Sequence, residues 1–100
     1  MKGMFNDTTA FNQPIGSWNV SNVTNMMEMF EAASSFSQDI SNWNTSNVGT
    51  MNSMFKDAEA FNQDIRKWDV SNVADQELLN MFQSATAMKS AFTDLVDDKH

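Results

Sequence analysis

Apolar residues are spaced in a fixed order that recurs along most of the chain. Met26, Met29, Phe30 and Ala33 stand at i, i+3, i+4 and i+7, with Glu28 and Glu31 among the residues between them. That spacing predicts a helix with one apolar face. Thr24 and Asn25 precede it and are suited to cap its free N–H groups. The same reading predicts short helices over about residues 50–60 and 2–9. Helices this short are marginal alone and depend on packing.

A different period follows each of these segments. Ile40, Trp43, Thr45 and Val48 lead the second half, with Trp43 and Thr45 alternating with polar residues. Trp18 with Val20, and Trp68 with Val70, do the same. Alternation predicts a short, half-buried strand. Ser-Asn-Val then closes each unit, and Ser and Asn favour turns because their side chains bond nearby backbone groups.

The whole unit repeats every 25 residues. Met1, Met4, Phe5, Phe11, Ile15, Trp18 and Ser21-Asn22-Val23 return 25 and then 50 positions later. A fixed period of this length predicts a stack of units, each touching its neighbours. Strands stack about 4.7–4.9 Å apart, whereas helices need about 8–10 Å, so the expected stack curves with strands on its concave face. Residues 1–73 hold three good copies. Residues 74–100 are a degenerate fourth, read as a C-terminal helical cap over about 75–96 with a candidate break near 84–86. Leu95 stands at the tryptophan position of this copy, and Asp94, Asp97 and Asp98 predict fraying after Val96. At the other end, Met4, Phe5, Phe11, Ile15 and Trp18 form an expected open apolar face. Such a face predicts continuation of the array, a docked partner or self-association.

Composition narrows the function classes. The chain has 100 residues, 41% hydrophobic, enough for a core. Its net charge of −7 repels phosphate backbones, so no nucleic-acid partner is expected, and anionic membranes are disfavoured for the same reason. No apolar run is long enough to span a bilayer, and no signal peptide opens the chain. That predicts a cytosolic protein, or a fragment or mature form without its export signal. Cysteine is absent and the one histidine is His100, so neither a thiolate nor a serine–histidine arrangement is available, and no enzyme is expected.

Each repeated residue type offers a candidate site. Nine methionines suggest copper(I), but without Cys or His companions they read as core filler. Trp18, Trp43 and Trp68 read as a stacked core column whose indole N–H groups need acceptors, with a sugar platform as the alternative. Asn22, Asn47 and Asn72 read as a ladder satisfying backbone groups at the turns. Asp39 and Asp64 with Gln13, Gln38 and Gln63 provide oxygens for calcium, but too few for a complete shell. Asn6, Asn19, Asn22 and Asn44 begin glycosylation sequons that matter only in a secreted eukaryotic setting. No metal and no cofactor is expected. The expected binding surface is the outward strand face, with columns Ser17, Asn42, Lys67, then Asn19, Asn44, Asp69, then Ser21, Ser46, Ser71.

The run Met-x-x-Met-Phe-x-x-Ala-x-x-Phe-Asn-Gln-Asp-Ile-x-x-Trp-x-Val-Ser-Asn-Val, complete from Met51 to Val73, resembles the BspA-like bacterial surface-protein repeats. These are asparagine-rich, leucine-rich-repeat-like units of surface lipoproteins and adhesin-like proteins. The likeness spans residues 1–73 and fades over the last 25. It implies an α/β repeat fold: a right-handed, leucine-rich-repeat-like solenoid of short parallel strands and short helices, closed by the C-terminal helix. It implies a cell-surface or secreted location and a non-enzymatic role in binding protein or glycan. A purely structural spacer or scaffold subunit, docked through the N-terminal face, is the alternative. The chain lacks a lipobox cysteine, so the lipid anchor of the lipoprotein members does not carry over.

Overall fold

The computed structural model describes residues 1–85. Its building unit is the β-turn. In the second copy, the N–H groups of Met29, Glu31 and Ala33 donate to the carbonyls of Met26, Glu28 and Phe30, three residues back, at 3.0–3.2 Å. The N–H groups between them point away from the turn. Met26, Glu28, Phe30 and Ala32 donate to Thr50, Asn52, Met54 and Lys56 of the next copy at 2.7–3.0 Å. Successive N–H groups thus alternate between closing a turn and bonding the neighbouring copy. Gly3, Phe5 and Asp7 bond Met27, Met29 and Glu31 in the same way. At the far side, Phe55 and Asp57 bond Met81 and Gln83.

Left-handed residues make this alternation work. Gly3 and Asp7, Glu28 and Ala32, and Ser53 and Asp57 all have φ of 58–62°. One such residue every fourth position re-aims the backbone before a helix can propagate. Only Gly adopts this conformation without steric cost; an L side chain there costs roughly 1–2 kcal/mol. The neighbouring copy offsets that cost by taking up backbone groups that would otherwise be buried unpaired.

These bonds overturn the expected fold class. The segments read as helices over 2–9, 26–33 and 50–60 are runs of turns. Their apolar spacing is real, because overlapping turns also bring Met26, Met29, Phe30 and Ala33 to one side, and all four are fully buried. Asn25 does not cap a helix; its Oδ1 accepts the Met27 N–H at 2.9 Å, forming a turn of its own. No strand occurs among the described residues, and the one bridge is an isolated parallel pair, Asn25 with Thr50. The segments around Trp18, Trp43 and Trp68 are joined across copies mainly by side chains, so no backbone ladder forms there. The described residues form a stack of turns closed by one short helical link, neither the leucine-rich-repeat-like α/β solenoid expected nor a curve with strands on a concave face.

The cap also differs. Among the described residues one helix, α1 (Asp75–Met81), occupies the longer link between Val73 and Phe82. The residues after it return to the turn pattern. Ala85 N–H donates to Phe82 at 2.9 Å, as Ala58 does to Phe55 and Ala33 to Phe30, and Ser84 again has φ of 60°. The expected helix therefore stops by Met81 within this region. Its continuation from Thr86 to Val96, with Met88, Phe92 and Leu95, lies outside the described residues.

The core is a set of aromatic columns. Phe5, Phe30, Phe55 and Phe82 stack with centroids 5.4 Å apart at each step. Phe11, Phe36 and Phe61 form a second column at 5.7–5.8 Å. Within each copy the two columns touch at 4.1–4.2 Å. The steps along each column lie within the favoured range for ring pairs, and the contacts within a copy are closer still. Met26, Met29, Met51 and Met54 fill the remaining space, fully buried. Gly16 marks a close approach of two copies: a Cβ there would lie 2.2 Å from the Asp39 carbonyl oxygen.

The left-handed positions provide a test. Ala32→Gly relieves steric strain and is expected to stabilise the fold by about 0.5–1 kcal/mol in denaturant unfolding. Ala32→Val is expected to destabilise it, because a β-branched residue is least tolerated at positive φ. In a helix at this position the order would reverse, with glycine the destabilising substitution.

Candidate functional site

The exposed surface carries a second set of turns, built by side chains. The Ser21 N–H and hydroxyl both donate to Asn19 Oδ1, at 3.0 and 2.6 Å. Ser46 does the same to Asn44, and Ser71 to Asp69. These are side-chain turns of the kind Asn and Asp favour, and they recur in register. A parallel column lies five residues earlier. Ser41 bonds Asp39 through N–H and hydroxyl, and Arg66 bonds Asp64 through its N–H and guanidinium. In the first copy Pro14 and Gly16 take these places, so this column has two members.

All six expected surface-binding residues are exposed: Ser17, Asn19, Asn42, Asn44, Lys67 and Asp69. They divide into two kinds. Asn19, Asn44 and Asp69 commit Oδ1 to the turn. Their outer atoms, the Asn Nδ2 groups and Asp69 Oδ2, make no hydrogen bond among the described residues. Ser17, Asn42 and Lys67 have side chains with no hydrogen bond among the described residues. The turns thus fix where one column points while leaving its outer atoms available.

The carboxylates on this surface are held ionised. Hydrogen bonds from the Arg66 side chain and N–H, and then its charge, hold Asp64 at about 2. The hydroxyl and N–H of Ser41 lower Asp39, and those of Ser71 lower Asp69. The Asp64–Arg66 ion pair is 3.0 Å long and open to solvent, so it adds little to stability. Among the described residues, no three of His, Cys, Asp and Glu come together as a metal site. Asp39 and Asp64 are engaged with their own turns, and the core methionines lie away from solvent.

The aromatic and amide columns join the copies. Trp43 and Trp68 are 4% exposed, and their indole N–H groups donate to the Ile15 and Ile40 carbonyls at 3.1 and 3.0 Å. Their rings stack at 6.2 Å. Asn47 and Asn72 donate across to the Ser21 and Ser46 carbonyls at 2.7 and 2.9 Å. Gln38 and Gln63 also bond across copies, to Asn12 and Ser37. That role was not read from the sequence, although Gln13, Gln38 and Gln63 recur in register and signal it. Trp18 departs from its column. It is 40% exposed, rests on Phe5 at 6.0 Å and does not stack on Trp43.

Of the expected N-terminal face, Met4 is 52% exposed and Phe5 and Phe11 are half-buried. Ile15 is only 3% exposed and belongs to the core. Met4, Phe5, Phe11 and Trp18 are thus open where their counterparts in the later copies are covered.

A family model described as Mycoplasma protein of unknown function, DUF285, matches residues 1–95. No curated protein and no solved structure matches the chain.

Two outcomes test the turn columns and their charges. Asn44→Ala removes the acceptor of the Ser46 turn and is expected to cost about 0.5–1.5 kcal/mol, whereas Asn44→Asp keeps it and leaves the melting temperature nearly unchanged. Glu31 gives the pH dependence. Partial burial, then Glu28 beside it, raises its carboxyl above the ordinary 4.5, with Asp7 adding to the shift and Lys56 opposing it. A raised carboxyl binds its proton more tightly in the fold, so stability falls as pH rises from about 4.5 through the folded value. Glu31→Gln is therefore expected to melt higher than the parent at pH 7, with the gain shrinking toward pH 4.5.

Proposed function

The chain belongs to the DUF285 family, and on that premise we propose that it is a non-enzymatic binding module of a cell-surface or adhesin-like protein. Its partner is a protein or glycan, met on the exposed face that carries Ser17, Asn42, Lys67 and Asn19, Asn44, Asp69. The likeness to BspA-like surface repeats supports the location. The observation that carries the binding role is the register of the surface turns. Asn19, Asn44 and Asp69 each hold the same bond to the serine two residues on. Polar groups held on a frame by their own turns lose little conformational entropy when a partner binds. Carboxamide, hydroxyl, ammonium and carboxylate groups suit hydrogen bonding to sugar hydroxyls or to polar protein loops.

A structural docking role is the second reading, and one observation favours it. Met4 and Trp18 are large apolar side chains left open at the N-terminal face. Exposed apolar groups gathered at one face mark an interaction site more often than plain surface.

The first reading is tested with Ser17→Ala, Asn42→Ala and Lys67→Ala combined. These side chains hold no bond in the described fold, so the melting temperature is expected to stay within about 1–2 °C. Binding to a glycan or host-surface protein selected on an array is expected to weaken at least tenfold, about 1.4 kcal/mol. Arrays of glycans and matrix proteins that retain no ligand for the parent chain would contradict the reading.

A further inference from the structure

We propose that Asn19 and Asn44 are sites of asparagine-linked glycosylation on the folded chain, taking a sugar from a diphosphate-activated donor, a role independent of either binding reading.

The sequence holds four Asn-x-Ser/Thr sequons of equal standing, at Asn6, Asn19, Asn22 and Asn44. The fold separates them. At Asn19 and Asn44 the hydroxyl of the serine two residues on donates to the asparagine Oδ1, at 2.6 and 2.7 Å. The serine N–H donates to the same atom, at 3.0 and 3.1 Å. Both asparagines are exposed, and neither Nδ2 group makes a hydrogen bond among the described residues. At Asn6 the Thr8 hydroxyl turns away and donates to the Phe5 carbonyl, and Asn6 is half-buried. At Asn22 no hydrogen bond joins Thr24 to the asparagine among the described residues.

The serine turn prepares the carboxamide for transfer. An amide nitrogen is a poor nucleophile because its lone pair is shared with the carbonyl. Two donors on Oδ1 stabilise negative charge there, so an Nδ2 proton is more easily removed. That proton passes to a basic side chain of the transferase, and Nδ2 bonds to the anomeric carbon of the sugar. The bond from that carbon to the diphosphate oxygen breaks, and its electron pair leaves with the diphosphate. The turn also fixes the plane of the amide, so little orientational freedom is lost when acceptor meets donor. A soluble transferase reaches these groups on the finished fold, so the secreted eukaryotic setting expected from the sequence is not required.

Two neighbouring columns show what the sites need. Asp69 holds the same turn with Ser71, at 3.0 and 2.6 Å, but carries no nitrogen. Asn47 and Asn72 are exposed and carry the nitrogen, but it is committed to the Ser21 and Ser46 carbonyls at 2.7 and 2.9 Å. The residues two on are Gly49 and Ala74, without a hydroxyl.

The test offers the full 100-residue chain UDP-glucose and a soluble asparagine-directed glucosyltransferase active on sequon peptides. Mass spectrometry then locates each added hexose. Asn19 and Asn44 are expected to be modified at least about tenfold faster than Asn6 and Asn22. Two substitutions separate the fold from the motif. Asp69→Asn keeps the turn and supplies the nitrogen, so a further site at the Asn44 rate is expected there. Gly49→Ser completes a sequon at Asn47, whose Nδ2 stays bonded to the Ser21 carbonyl, so no hexose is expected. A Cβ at Gly49 meets nothing nearer than the Thr24 carbonyl oxygen at 4.0 Å, so this substitution fits the fold. A chain that takes no hexose on Asn19 or Asn44 would overturn the proposal. So would transfer to Asn6, Asn22 or the Asn47 sequon at rates equal to theirs.

Discussion

The alternation of backbone hydrogen bonds governs this molecule. Every second N–H in the first half of a copy closes a turn, and every other one reaches the next copy. A parallel sheet also bonds its neighbours with every second residue, but it needs extended backbone. Here the same economy is reached by overlapping turns, reset by left-handed residues such as Glu28 and Ala32. In the second copy every N–H from Met26 to Ala33 is committed in this way or to the Asn25 turn, so none is left for a helix. The phenylalanine columns follow from this, because a fixed register across copies sets equal residues above one another at 5.4 Å per step.

The second half of each copy uses side chains for the same task. Tryptophan, asparagine and glutamine donate to the copy before, opposite in sense to the backbone bonds of the first half. The two halves together lock both the spacing and the direction of the stack. Direction matters for function, since it makes the two faces of a coil chemically different. The outer surface gains its order from the same lock. Asn19, Asn44 and Asp69 keep one register because the turns beneath them do, so a ligand meets aligned groups.

Much of this was legible in the sequence, and the part that was not has a definite cause. The 25-residue period, the buried methionines, the need of Trp43 and Trp68 for indole acceptors and the asparagine ladder all follow from residue type and spacing. The helices did not follow. Met26, Met29, Phe30 and Ala33 show the same i, i+3, i+4, i+7 spacing whether the backbone is helical or a run of turns, so periodicity alone does not separate the two. The left-handed positions would have separated them, but Glu28, Ala32 and Ser53 are not residues that announce positive φ, and only Gly3, Asp7 and Asp57 are of types that favour it. The strands failed for a related reason. Trp43 and Thr45 alternate as a strand would, yet they reach across the copies with their own indole and hydroxyl, which donate to the Ile15 and Asp69 carbonyls at 3.1 Å. On the surface, exposure of the six candidate residues was readable, while the commitment of one Asn or Asp oxygen to each turn was visible only once the backbone was placed.

Scalar couplings across hydrogen bonds, measured by NMR, test the alternation most directly. The Phe30 nitrogen should couple to the Met54 carbonyl carbon and the Met29 nitrogen to that of Met26. Coupling of the Phe30 nitrogen to the Met26 carbonyl carbon, the signature of a helix, would contradict the stack of turns.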